Sequence, residues 1–161
     1  MRRILGIVAI AAACASGAPA FADGAEIGIT FITPADVYTL PVEIGTVNGT
    51  KDLNFVLDTG AAYIIAPPKA LADVKKEKIG TLPLYLGGHV HYTMIRYRVA
   101  SFKVGDCELK DIEVDESTAS VLPILGQSFL RSVEPYTVGT SANGSTLSFS
   151  CPQENDIAAA H

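Results

Sequence analysis

The chain has 161 residues with 12 basic and 17 acidic side chains, a net charge of −5 with histidine neutral. That length has room for one domain with a respectable core. The acidic balance, with no basic stripe, excludes nucleic acid and anionic lipid as natural partners.

Residues 1–22 read as a secretory signal peptide: Arg2 and Arg3 form a basic start, "ILGIVAIAAACA" an apolar middle, and Ala20-Phe21-Ala22 a small-x-small cleavage site. The apolar run is too short and too rich in Ala for a stable membrane anchor. A lipoprotein signal ending at Cys14 is the weaker alternative, because Ala11 stands where such signals usually carry Leu. The leader looks bacterial and places the mature chain in the periplasm or the medium. Losing Arg2 and Arg3 moves the net charge from −5 to −7. Two cysteines remain, Cys107 and Cys151, in a compartment where disulfides persist. They can bridge or stand as two buried thiols, and the bridge is the favoured expectation.

From 23 to 152 the chain reads as one all-β domain, with 153–161 a frayed tail. "VYTLPVEIG" and "LNFVLD" are β-type runs on either side of an Asn48-Gly49 turn signal. "PPKALADVKKEK" is a charged connection with helical character, entered through two prolines. "LPLYLGGHVHYTMIRYRVASFKVG" predicts a long hairpin with Gly87 and Gly88 at its tip. "CELKDIEVDE" alternates imperfectly, as a half-exposed strand does. "VLPILG" is a continuous apolar run, "QSFLRSV" has the spacing of a short helix, and "YTVGTSANGSTLSFSC" predicts a closing hairpin around Asn143-Gly144.

The chemistry concentrates in "NFVLDTGAAYIIAP", residues 54–67, where Asp58 lies between two apolar runs. An unpartnered carboxylate in an apolar setting is expensive, so one kept there points to use. Gly60 gives the turn backbone freedom and room for a close approach, and the Thr59 hydroxyl can brace it. The plain alternative is a turn carboxylate at the end of a strand.

"FVLDTGA" followed by "PILGQSFL", with "YLGGHVHYTMI" between them, resembles the retropepsin-like aspartic proteases across most of the mature chain. The resemblance implies a closed β-barrel of the acid-protease half type, with a flap hairpin and one short helix after the ILG motif. It implies Asp58 as the catalytic residue, with Thr59, Gly60 and Ala61 completing the active-site turn. Ile124, Leu125 and Gly126 would support that turn from beneath, and Gly87 and Gly88 would let the flap open and close. Because the chain has one "DTG", the implied peptidase is a homodimer with Asp58 from each subunit at its two-fold axis. The implied partner is a peptide or protein substrate, with no cofactor and no metal. Bulky Tyr63 close to the turn, and Ala62 where retroviral enzymes carry an acid, depart from the pattern.

His89 and His91 alternate on one strand and so share a face, as two metal ligands could, but no third ligand lies nearby. Solvated polarity is the expectation for both. Cys107 as a nucleophile has no support in its surroundings. Two function classes follow: an aspartic endopeptidase, or a non-cleaving module of the same fold that binds peptides or a protein. The intact "DTGA" favours the enzyme.

Overall fold

A computed structural model of the protein describes residues 24–32, 37–86, 89–120, 122–141 and 144–151. The expected leader, the tail 153–161, Gly87, Gly88 and Asn143 lie outside these residues. The architecture grows from a central hairpin. Strand β2 (Val37–Thr46) and strand β3 (Gly49–Leu57) pair antiparallel from Tyr38↔Leu57 to Thr46↔Gly49. Alternation turns Leu40, Val42 and Ile44 of β2 inward together with Phe55 of β3, each at most 1% exposed. The register makes Val47 and Asn48 the two loop residues, one position earlier than the expected Asn48-Gly49 turn. Gly49 still matters there, because its φ of 135° is closed to most other residues.

Strand β1 (Gly24–Ile32) precedes the hairpin and was not among the expected elements, although Ile27, Ile29 and Phe31 alternate along it. It pairs with β2 at its end and with the closing strand along most of its length. After β3 come β4 (Ile65–Ala66) and a four-residue helix, α1 (Pro68–Leu71). The charged connection is therefore helical over one turn only. Val47 N–H donates to the Asp73 carbonyl (3.0 Å) and Lys75 N–H to that of Gly45 (3.0 Å), and Val74 bridges Thr46. These bonds hold the segment extended against the tip of the β2–β3 hairpin, and pairing overrides helix propensity.

The long hairpin is present as β5 (Lys76–Leu86) and β6 (His89–Val99), paired from Lys76↔Val99 to Leu86↔His89. "CELKDIEVDE" divides into two strands, β8 (Cys107–Leu109) and β9 (Ile112–Glu116), because Asp111 takes a left-handed φ of 57° and breaks the extended run. β8 pairs with β7 (Phe102–Val104), whereas β9 joins β4 and β6. β10 (Ile124–Leu125) leads into α2 (Gln127–Ser132), the short helix expected there. β11 (Tyr136–Ser141) and β12 (Gly144–Ser150) form the closing hairpin, and β12 packs beside β1.

The main sheet path runs β11-β12-β1-β2-β3-β10-β4-β9-β6-β5. The fold is all-β, but the expected closed barrel is an open path among the described residues. The path ends at β11 and β5, and no pairing joins those two among the described residues. β5 and β6 have 11 residues each, but β9 has five and reaches β6 only from Ile95 to Val99. The far half of the hairpin therefore extends past β9 as an arm that, among the described residues, is paired only within itself.

Edge-to-face pairs of Phe55 with Phe102 and Phe129 with Phe149, at 5.5 and 6.1 Å between centroids, tie the core across these strands. Cys107 and Cys151 are joined as a disulfide, with Cα atoms 5.6 Å apart and a sequence separation of 44. The bond fastens the end of β12 to β8. Replacing both cysteines by Ser is expected to lower unfolding stability by up to about 4 kcal/mol through lost chain restriction. Urea midpoints of the oxidised parent and the double variant would measure it, and equal midpoints would show that the bond adds nothing.

Candidate active site

The site begins where β3 ends. β10 runs parallel beside β3, pairing Ile124 with Val56 and Leu125 with Leu57. Val56 N–H donates to the Pro123 carbonyl (2.8 Å), and Asp58 N–H donates to that of Leu125 (3.0 Å). The ILG segment thus fixes the backbone of Asp58 itself. Beyond it the chain turns, with Ala61 N–H donating to the Asp58 carbonyl (3.2 Å) and Gly60 N–H to Asp58 Oδ1 (2.8 Å). One carboxylate oxygen is held by the turn that follows it, which sets the direction of the acid. Asp58 is half-buried, while Thr59 and Gly60 are exposed.

The helix α2 grips the same loop from below. A helix leaves its first N–H groups without internal partners. Here no side chain caps α2; instead Gln127 N–H donates to the Ala61 carbonyl (2.8 Å) and Ser128 N–H to that of Ala62 (3.0 Å). The Gln127 side-chain amide donates to the Thr59 carbonyl (2.6 Å), and Ser128 Oγ accepts from Ile64 N–H (3.0 Å). This closeness explains Gly126. A Cβ at that position would stand 2.6 Å from the Ala61 carbonyl oxygen and closer still to that of Tyr63. Gly126→Ala is expected to destabilise the fold by about 1–3 kcal/mol, since backbone must shift to admit the methyl group. A denaturation midpoint equal to the parent's would show that the loop yields freely.

A cleft of about 590 Å³ opens over this turn. Its floor runs from Asp58 to Tyr63, Ser117 and Ile124 contribute a wall, and Leu82 to Tyr85 of β5 form the roof. Most of that lining is apolar. Among the described residues, Asp58 is the one acid lining it. Ser117 is buried, and its Oγ accepts from Ala119 N–H (3.2 Å), which braces the loop after β9.

Asp58, Thr59, Gly60, Ala61, Ile124, Leu125 and Gly126 are therefore brought together as one unit. Gly87 and Gly88 fall outside the described residues, although the strands beside them pair up to Leu86↔His89. His89 and His91 lie on β6, and their side chains are outside the described set. Cys107 and Cys151 stand apart from the cleft lining.

A charged cluster beside the cleft escaped sequence reasoning. Arg96 on β6 faces Asp115 on β9 across the strands, and the guanidinium grips that carboxylate with two bonds of 2.8 and 2.9 Å. A third bond reaches Glu113 Oε2 at 2.9 Å. The Asp115 carboxylate raises the Arg96 pKa above its ordinary value, despite partial burial. The guanidinium also lies over the ring of Tyr63, 4.9 Å from its centroid. The available signal was an acid and an arginine inside two β-type runs, which only the register shows to be opposite.

A family model described as aspartyl protease matches residues 42–129, which includes the turn, the hairpin and the ILG segment. No curated protein is similar in sequence at a significant level. Among solved structures, a retropepsin-like aspartic protease from Rickettsia conorii superposes with a TM-score of 0.50 at 15% identity, over 78% of this chain and 89% of that one. That likeness speaks to the fold. A foamy viral protease–reverse transcriptase, solved with an RNA/DNA hybrid, gives 0.43 at 21% identity over 65% of this chain and 13% of its own. At that score the second likeness supports no further step.

Proposed function

Because the chain belongs to the aspartyl protease family, we propose that it is an aspartic endopeptidase that works as a homodimer, with Asp58 of each subunit meeting at a two-fold axis. The observation that carries this reading is the setting of Asp58: a carboxylate aimed by its own turn, on backbone held by the ILG segment, beneath an apolar cleft. Two such carboxylates held close share one proton, because both cannot ionise together. The ionised one takes a proton from water as that water attacks the scissile carbonyl. The protonated one donates to the carbonyl oxygen. The proton taken from water then passes to the amide nitrogen, a hydroxyl proton of the tetrahedral intermediate returns to the other carboxylate, and the C–N bond breaks to release the amine. The arm formed by β5 and β6 would cover the peptide and exclude bulk water.

The mature domain in this reading spans residues 23–152 and is exported to the periplasm or the medium. The leader-like start and a disulfide suited to an oxidising compartment support that placement. The test is incubation with an unfolded protein from about pH 3 to about pH 7, because a shared proton confines activity to a bell-shaped window. Cleavage that Asp58→Asn removes would support the reading. Peptide binding without cleavage at any pH would favour the binding module instead.

A further inference from the structure

The cluster around Arg96 joins two parts of the cleft that the chain supplies from distant positions. Tyr63 belongs to the loop after the Asp58 turn and is 38% exposed where it lines the cleft. Arg96 belongs to β6, one residue from Ile95, where the pairing with β9 ends and the arm leaves the sheet. That arm carries Leu82 to Tyr85, the roof of the same cleft. Asp115, with a side chain 2% exposed, holds Arg96 by both carboxylate oxygens. Glu113 engages the remaining terminal nitrogen, so the guanidinium plane is fixed from two sides. Held there, its central carbon lies over the Tyr63 ring, 4.9 Å from the centroid.

We propose that Arg96 is a positioning residue for peptide binding: clamped by Asp115, it holds the Tyr63 ring in the cleft wall and ties that wall to the arm that roofs it. The inference rests on the peptidase reading only in taking the cleft as a peptide groove. A simpler role, stapling β6 to β9, accounts for the bonds to Asp115 and Glu113 but not for the cation–ring contact with Tyr63. The ring is the part that reaches substrate; Arg96 acts through it. An apolar side chain of an extended peptide would pack on the exposed part of the ring and against Leu82 and Leu84 of the roof.

The experiment uses blocked octapeptides with two apolar central residues as the probe. Their binding is read by calorimetry on Asp58→Asn protein, where they stay intact, and their hydrolysis is read on protein that keeps Asp58. Arg96→Lys keeps the charge but loses the fork that fixes it over the ring, and Tyr63→Leu leaves the ion pair untouched. Both are expected to weaken peptide binding about tenfold, and to raise KM by the same factor with kcat within about threefold. Arg98→Met, which alters the next arginine on the same strand, is expected to bind like the parent. Should Arg96→Lys fold poorly, the pair Arg96→Met with Asp115→Leu removes both charges together and should show the same loss of binding. Parental binding in Tyr63→Leu or in the arginine variants, with only the melting temperature changed, would overturn the proposal. So would octapeptides that fail to bind Asp58→Asn protein, a result that leaves hydrolysis by the parent to judge the peptidase reading separately. Bound but uncut peptides would reject the peptidase reading and leave this one to be decided by the binding ratios.

Discussion

Asp58→Asn is expected to lower the rate of peptide hydrolysis by at least about a thousandfold while the domain stays folded. The two halves of that statement rest on different atoms. The fold survives because an Asn side-chain oxygen can still accept the bond from Gly60 N–H that the Asp58 carboxylate accepts at 2.8 Å. The backbone bond from residue 58 to the Leu125 carbonyl does not involve the side chain at all. The chemistry is lost because an amide neither takes a proton from water nor carries the shared one. Asp58→Ala would be a poorer test, since it also removes the acceptor that closes the turn. The measurement is kcat/KM on one unfolded substrate, with the urea midpoint of each protein recorded beside it. Unchanged turnover in folded Asp58→Asn protein would remove Asp58 from the mechanism. A drop accompanied by a collapsed midpoint would point to the turn, and not to the proton, as what was lost.

How much of this could be read in the residues differs from one part of the chain to another. The turn at Asp58 was legible because its signal is local. An apolar strand, an acid, Thr and Gly follow one another, and "ILG" ahead of a helical spacing marks the segment beneath. The β5–β6 hairpin was legible for the same reason, with a glycine pair between two β runs. What escaped depended on pairing between distant positions. Lys76 to Lys78 have helix-favouring side chains, yet they extend because Val99 to Tyr97 lie alongside. "CELKDIEVDE" looked like one strand, and its break at Asp111 appears only as a left-handed φ. Arg96 and Asp115 are 19 residues apart, and no spacing rule connects them until β6 and β9 are placed in register. The expected closure of the barrel depended on long-range pairing in the same way, and the sheet path ends unpaired at β5 and β11 among the described residues.

Activity per subunit is expected to fall in proportion to concentration once the protein is diluted below its dimer dissociation constant, by about tenfold for each further tenfold dilution. The argument starts from the number of acids at the cleft. A lone carboxylate cannot be the ionised base and the protonated acid in one step, and Asp58 is the one acid in the lining of a single chain among the described residues. Three other carboxylates among the described residues have their own engagements or lie outside that lining. Asp115 is buried under the Arg96 fork, Asp73 is paired with Lys51, and Asp106 is exposed in the turn between β7 and β8. In the proposed reading the second acid arrives from another copy, and a two-fold axis through the site is the arrangement that gives both copies the same environment. Dissociation then dismantles the catalytic pair instead of merely weakening substrate binding. Sedimentation and peptidase assays over one dilution series would show whether monomer and loss of activity appear together. Subunit mixing sharpens the test. An equal mixture of parent and Asp58→Asn subunits, allowed to exchange, should keep about half the activity of the parent present, because half of the parent subunits then sit in mixed dimers with one carboxylate. Full activity after exchange, or in a preparation shown to be monomeric, would mean that a single Asp58 suffices and would overturn the shared site.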